Sequence, residues 1–187
     1  MPLEGARYLN CPLFKESTLG MTREAMNNQV AALLKMPYLG KVYKKMLTDE
    51  YSMSMIRKVL LEVINSDAYP VMFHCTAGKD RTGVIAFLLL YMLEVDYETI
   101  IDDYLETNQY YIEKADNIYK EILSLSNDPE LALKLKGFWM VTRDYLEDGL
   151  SEVIRIYGSI DSYIRNGLQI DDETIACYRN KFLTDQL

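Results

Sequence analysis

Apolar positions recur with helical spacing along most of the chain. Met55, Val59 and Val63, with their neighbours Ile56, Leu60 and Ile64, lay a wide apolar face along a segment that Thr48 can cap and that runs to about Asn65. An earlier helix is predicted over Thr22 to Met36, where Met36-Pro37 stops it. Arg81 to Val95 is apolar nearly all round, the pattern of a central helix covered on every side. Asp96 to Thr107 and Asn108 to Ser124 come next, rich in Tyr and acids. Asn127-Asp128-Pro129 then restarts a helix with a cap and a proline in its first turn. Met140 to Tyr157 ends at Gly158, and two shorter helices finish the chain, one stopping at Gly167 and one opening at Asp171.

Two segments read differently. Tyr8 to Leu13 has the residues of a short strand closed by Pro12, and Val71-Met72-Phe73, after the Tyr69-Pro70 reset, is a compact apolar run of the kind that fills a buried strand. The expected fold class is therefore α/β, a parallel-type central sheet flanked by many helices. The strands are too few for it, since such a sheet normally has four or more.

Length and composition narrow the chemistry. At 187 residues the chain has room for one domain, residues 1–187, with a real core. Its charges sum to 20 − 28 = −8, which argues against a nucleic-acid partner because such proteins need a basic footprint. One His and three separated Cys, Cys11, Cys75 and Cys177, cannot build a three-His metal centre or a Cys/His zinc module. No metal and no cofactor is expected. Asp102-Asp103 gives no metal site, because adjacent residues on a helix point about 100° apart. An odd number of thiols does not suit a disulfide scaffold, and a Cys11–Cys75 disulfide has no support in the sequence. The longest apolar run, Val84 to Leu93, is about half of the roughly 20 residues that span a bilayer. With no secretory signal at Met1, the expectation is a cytoplasmic protein without an integral membrane segment.

Reactive groups gather in Phe73-His74-Cys75-Thr76-Ala77-Gly78-Lys79-Asp80-Arg81-Thr82-Gly83, between the apolar run and the apolar helix. A loop at the start of a helix offers free backbone N–H groups and the positive end of the helix dipole to an anion. A thiol there, beside the Arg81 guanidinium, has its thiolate stabilised, which makes Cys75 a nucleophile. Arg81 presents a planar fork to two phosphate oxygens. Gly78 lets the backbone bend close to the anion, Thr82 can donate its hydroxyl to the sulfur, and His74 can fix the loop by hydrogen bonding. Gly78-Lys79 does not belong to a Walker A loop, since Phe73 stands where that motif needs glycine and Asp80 where it needs Ser or Thr.

The string HCTAGKDRTG resembles the phosphate-binding loop of the cysteine-dependent phosphatase superfamily, HCxxGxxR with Ser or Thr after it. Its Lys-Asp pair is similar to the bacterial tyrosine and phosphoinositide phosphatases of the PtpB and LipA type. Tyr69-Pro70, Asp103-Tyr104 and Tyr157-Gly158-Ser159 also look like that family. The resemblance implies a phosphatase II-like fold and phosphomonoester hydrolysis in two steps without a metal: Cys75 attacks phosphorus, and water then breaks the phosphocysteine. Arg81, with Thr76, Ala77, Gly78, Lys79, Thr82 and His74, would hold the phosphate, or a sulfate or vanadate in its place. Lys79 is associated in that family with more highly charged substrates such as phosphoinositides. Asp80 has two readings: general acid to the leaving oxygen, or a carboxylate capping the helix start.

The N terminus departs from the family, whose members begin with an Asn-Phe-Arg-Asp-Leu-Gly-Gly-like segment and a strand ending in Asp-Leu-Arg. Gly5-Ala6-Arg7-Tyr8 and Cys11-Pro12-Leu13 look like the family's stretch immediately after that strand. The expectation is a chain that starts inside the family domain, with two or so sheet strands absent or supplied by another chain, and a homodimer is among the expected assemblies. The Tyr-rich stretch reads as helix packing surface, although its place, roughly 104–140, is where the family carries lid helices. The expected activity is that of a protein tyrosine phosphatase, extending to phosphoserine, phosphothreonine or phosphoinositides. The alternatives are a phosphate-binding module that has lost catalysis and a rhodanese-like sulfurtransferase, which the Lys79 to Gly83 segment fits poorly.

Overall fold

In a computed structural model of the chain, residues 4–15, 38–66 and 70–183 are described. They form helices joined by short turns: α1 Leu39–Thr48, α2 Glu50–Asn65, α3 Asp80–Met92, α4 Tyr97–Glu106, α5 Ile112–Ser126, α6 Pro129–Trp139, α7 Arg143–Tyr157 and α8 Asp172–Phe182. A 3-10 turn at Thr107–Tyr110 links α4 to α5, and a π-helical turn at Tyr163–Gly167 comes after the single turn Ile160–Ser162.

The central sheet expected from the sequence is absent: among the described residues there is no strand. Val71-Met72-Phe73 is irregular backbone, with Met72 72% exposed. Tyr8 to Leu13 is irregular too, and only Leu13 of that segment is buried. A strand exists only through ladder hydrogen bonds to a neighbour, and neither segment finds one here; an apolar run alone does not make a ladder. The architecture is helical.

Helix boundaries track local chemistry more closely. Asp49, not Thr48, caps α2, its carboxylate accepting from the Ser52 N–H at 3.1 Å. Thr48 instead ends α1 and donates its hydroxyl back to the Lys44 carbonyl. Asp96 caps α4, Asp128 caps α6 with Pro129 in the first turn, and Asp171 caps α8. Gly158 closes α7 with φ +85°. The stretch from Asn108 divides between the 3-10 turn and α5. The helix expected over Thr22 to Met36 lies outside the described residues, as does Tyr69.

The core assembles around α3, whose Val84, Ile85, Phe87, Leu88, Leu89 and Met92 are all buried. Ile56 and Leu60 of α2, Ile100 and Ile101 of α4, and Leu146, Leu150 and Val153 of α7 close round it. Burying a large aliphatic or aromatic side chain is worth about 1.5–3 kcal/mol, so this covering fixes α3 and, with it, the loop that leads into its first residue. Helix α1 packs along α7, and α5 against α6 as a hairpin. No helix among the described residues is long and apolar enough to cross a membrane.

Candidate active site

The segment His74 to Lys79 turns directly into α3, whose first residue is Asp80. Gly78 takes φ +65°, a left-handed conformation that glycine adopts without a Cβ penalty, and it reverses the chain at the loop's tip. Cys75 sits half-buried with its thiol unpaired, as are the thiols of Cys11 and Cys177. The Thr82 hydroxyl spans the loop, accepting from the Cys75 backbone N–H at 3.0 Å and donating to the Cys75 sulfur.

Burial pushes the Cys75 thiol up, but it is outweighed. The Thr82 hydroxyl, the backbone N–H groups of Thr82 and Ala77 and the charge of Arg81 all favour the thiolate, and together they bring its pKa down to about 7. A thiolate is thus abundant at neutral pH, as a nucleophilic cysteine requires. Alkylation by iodoacetamide should accordingly rise with pH to half its limit near pH 7, and Thr82→Ala should move that midpoint upward. A midpoint left near the ordinary thiol value of about 8.5 in the unsubstituted chain would contradict this electrostatic account.

The remaining loop residues fall into two sets. Arg81 Nη2 donates to Thr76 Oγ1 at 3.2 Å, which ties the guanidinium across the mouth of the loop. His74 is exposed, with Nδ1 3.1 Å from the Cys75 carbonyl oxygen. Lys79 turns inward instead. It is 3% exposed, its ammonium lies 2.7 Å from Asp80 Oδ2 and 2.9 Å from Oδ1, and it stands 5.6 Å over the Phe138 ring. A buried ammonium needs a counter-charge, and Asp80 is that partner.

Sequence reading missed the groups that reach the loop from elsewhere. Tyr43 of α1 donates to Asp80 Oδ1 at 2.9 Å and lies 2.7 Å from the Tyr104 hydroxyl of α4. Tyr111 donates to the Ala77 carbonyl, and its ring stacks on Trp139 with 6.2 Å between centroids. The hairpin of α5 and α6 therefore touches the loop at both of its ends, through Tyr111 and Phe138. No local pattern announces such contacts, because the partners lie 34 to 59 residues from the loop residues they touch (138 − 79 = 59 for Phe138 and Lys79). Among the described residues no group of three or more His, Cys, Asp or Glu is placed to hold a metal.

A family model described as "Tyrosine phosphatase family" matches residues 1–184. The chain is 36% identical over 113 residues to a tyrosine-protein phosphatase of Cupriavidus necator, covering 60% of this chain and 39% of that protein. It is 30% identical over 135 residues to the triple specificity protein phosphatase PtpB of Mycobacterium tuberculosis, covering 64% of this chain and 49% of that one. A tyrosine-protein phosphatase of Nostoc commune is 38% identical over 72 residues, which are 38% of this chain and 24% of its own length. The matched stretch spans less than half the length of each of these relatives.

Proposed function

The chain belongs to the tyrosine phosphatase family, and from that membership we propose that it hydrolyses phosphomonoesters, phosphotyrosine in proteins first among them, through a phosphocysteine on Cys75. The observation that carries this reading is the thiol of Cys75 brought to about pKa 7 inside a ring of donors that ends on the Arg81 guanidinium. The sulfur attacks phosphorus as the ester P–O bond breaks. The loop N–H groups and Arg81 stabilise the charge that spreads over the equatorial oxygens. Asp80, a carboxyl at the loop's helix end, relays a proton to the leaving oxygen, drawing it from the Lys79 ammonium that lies 2.7 Å from its Oδ2. Water then attacks the phosphocysteine, the S–P bond breaks, the water's proton returns through Asp80 to Lys79, and inorganic phosphate leaves.

The placement of Lys79 supports a substrate with one phosphate. Its ammonium is engaged by Asp80, so among the loop's own Lys and Arg side chains Arg81 is the cation left to the anion. The multiply charged headgroup of a phosphoinositide would find less to bind. The α5–α6 hairpin, within 104–140, serves as the cover over the site through Tyr111 and Phe138.

The test compares two esters. The unsubstituted chain should release p-nitrophenol from p-nitrophenyl phosphate, inhibited by vanadate. Asp80→Asn should slow phenyl phosphate, whose phenolate leaves poorly, by about 10²-fold or more, and should slow p-nitrophenyl phosphate much less. An equal loss on both esters would contradict Asp80 as proton donor, and no release by the unsubstituted chain would contradict the whole reading.

A further inference from the structure

Behind the loop lies a chain of hydroxyls that the phosphatase chemistry leaves unused. Tyr43 is fully buried, yet its phenol is not in an apolar pocket: it gives its one proton to Asp80 Oδ1 at 2.9 Å. The contact between the Tyr43 and Tyr104 hydroxyls, at 2.7 Å, is then donated by Tyr104. Tyr104 is itself buried, and it reaches this position because residue 83 is glycine, where a Cβ would come within 2.7 Å of the Tyr104 ring. Two helices far from the loop in sequence thus place polar groups beneath the first turn of α3. Burying a hydroxyl costs free energy unless it finds a partner, and these two find theirs in one another and in Asp80.

We propose that Tyr43, backed by Tyr104, is a positioning residue that holds the Asp80 carboxylate in the orientation from which it serves the leaving group. The inference rests on the reading of Asp80 as proton donor and names what aims it. Without Tyr43, the Asp80 side chain is held on one side only, by Lys79, whose ammonium can grip either oxygen and fixes no single rotamer. With Tyr43, Oδ1 is pinned by a phenol whose ring is locked in the core, so one rotamer is fixed. Tyr145 of α7 is the further titratable group near Asp80: burial, then the charge of Asp80, raises its phenol. Burial first, then the charge of Asp80, also push the Tyr43 phenol far up, so it remains a donor at every working pH.

The experiment is a double-mutant cycle of Tyr43→Phe and Asp80→Asn, read on phenyl phosphate and p-nitrophenyl phosphate, with thermal unfolding and vanadate binding measured alongside. Tyr43→Phe keeps the ring and removes only the hydroxyl. The expected result is a kcat for phenyl phosphate lowered on the order of ten-fold, the size of one lost hydrogen bond to a charged group, with a smaller loss on p-nitrophenyl phosphate. KM and vanadate affinity should stay unchanged, and the double variant should be no slower than Asp80→Asn alone. Equal losses on both esters, a loss that adds to that of Asp80→Asn, or unchanged kinetics would each overturn the proposal, whatever the unfolding temperature does. A parent chain that hydrolyses neither ester overturns the functional reading and this inference with it; an active parent with uncoupled variants overturns this inference alone.

Discussion

Cys75→Ser is expected to lower turnover of p-nitrophenyl phosphate by roughly 10⁵-fold or more while leaving vanadate or phosphate bound in the loop. The asymmetry comes from the group that the substitution removes. A serine hydroxyl in the same place has no comparable ionised form near neutral pH, so the nucleophile disappears. The anion's other partners remain: the backbone N–H groups of the loop, the turn at Gly78 and the Arg81 guanidinium do not depend on sulfur. Thr82 keeps an acceptor for its hydroxyl, so the loop's cross-link from Thr82 to residue 75 survives. Equilibrium binding and single-turnover assays on one preparation separate the two effects.

Arg81→Ala should lose both properties. The guanidinium is one of the groups that lower the Cys75 thiol, it spans the loop to Thr76, and with Lys79 occupied by Asp80 it is the cation that the loop's own Lys and Arg side chains leave to the anion. Its removal is expected to cost about 10³-fold or more in kcat/KM and to weaken vanadate in parallel, because a forked donor tracks phosphate charge into the transition state. Arg81→Lys restores charge without the fork and should recover only part. Tight vanadate binding by Arg81→Ala would mean that the loop amides alone hold the anion.

The loop was legible in the sequence because its chemistry is local. Thiol, glycine turn, guanidinium and hydroxyl all fall between Cys75 and Thr82, and the apolar helix after them fixes where they stand. Two helix starts were legible for the same reason, Asp128 and Asp171 satisfying N–H groups two or three residues away, whereas the cap of α2 fell on Asp49 and not on Thr48. The sheet was misread because Val71-Met72-Phe73 has the composition of a strand, whereas a strand is a relation between two segments. The roles of Tyr43, Tyr111 and Phe138 were hidden by distance along the chain. In sequence each is one aromatic on a helix; only packing shows that Tyr43 spends its hydroxyl on Asp80 and Tyr111 on Ala77. Lys79 shows the same limit from the other side, since its neighbourhood in sequence suggests a phosphate ligand and its burial makes it the counter-ion of Asp80.

The measurement closest to the central claim is a rapid acid quench during turnover of p-nitrophenyl phosphate, with peptide mass spectrometry of the quenched protein. The phosphoryl group should appear on the peptide that carries Cys75, at a level that rises within the first turnover, and should be missing from Cys75→Ser. Steady release of p-nitrophenol with no phosphoryl group on Cys75, or with one on a different residue, would contradict the phosphocysteine mechanism.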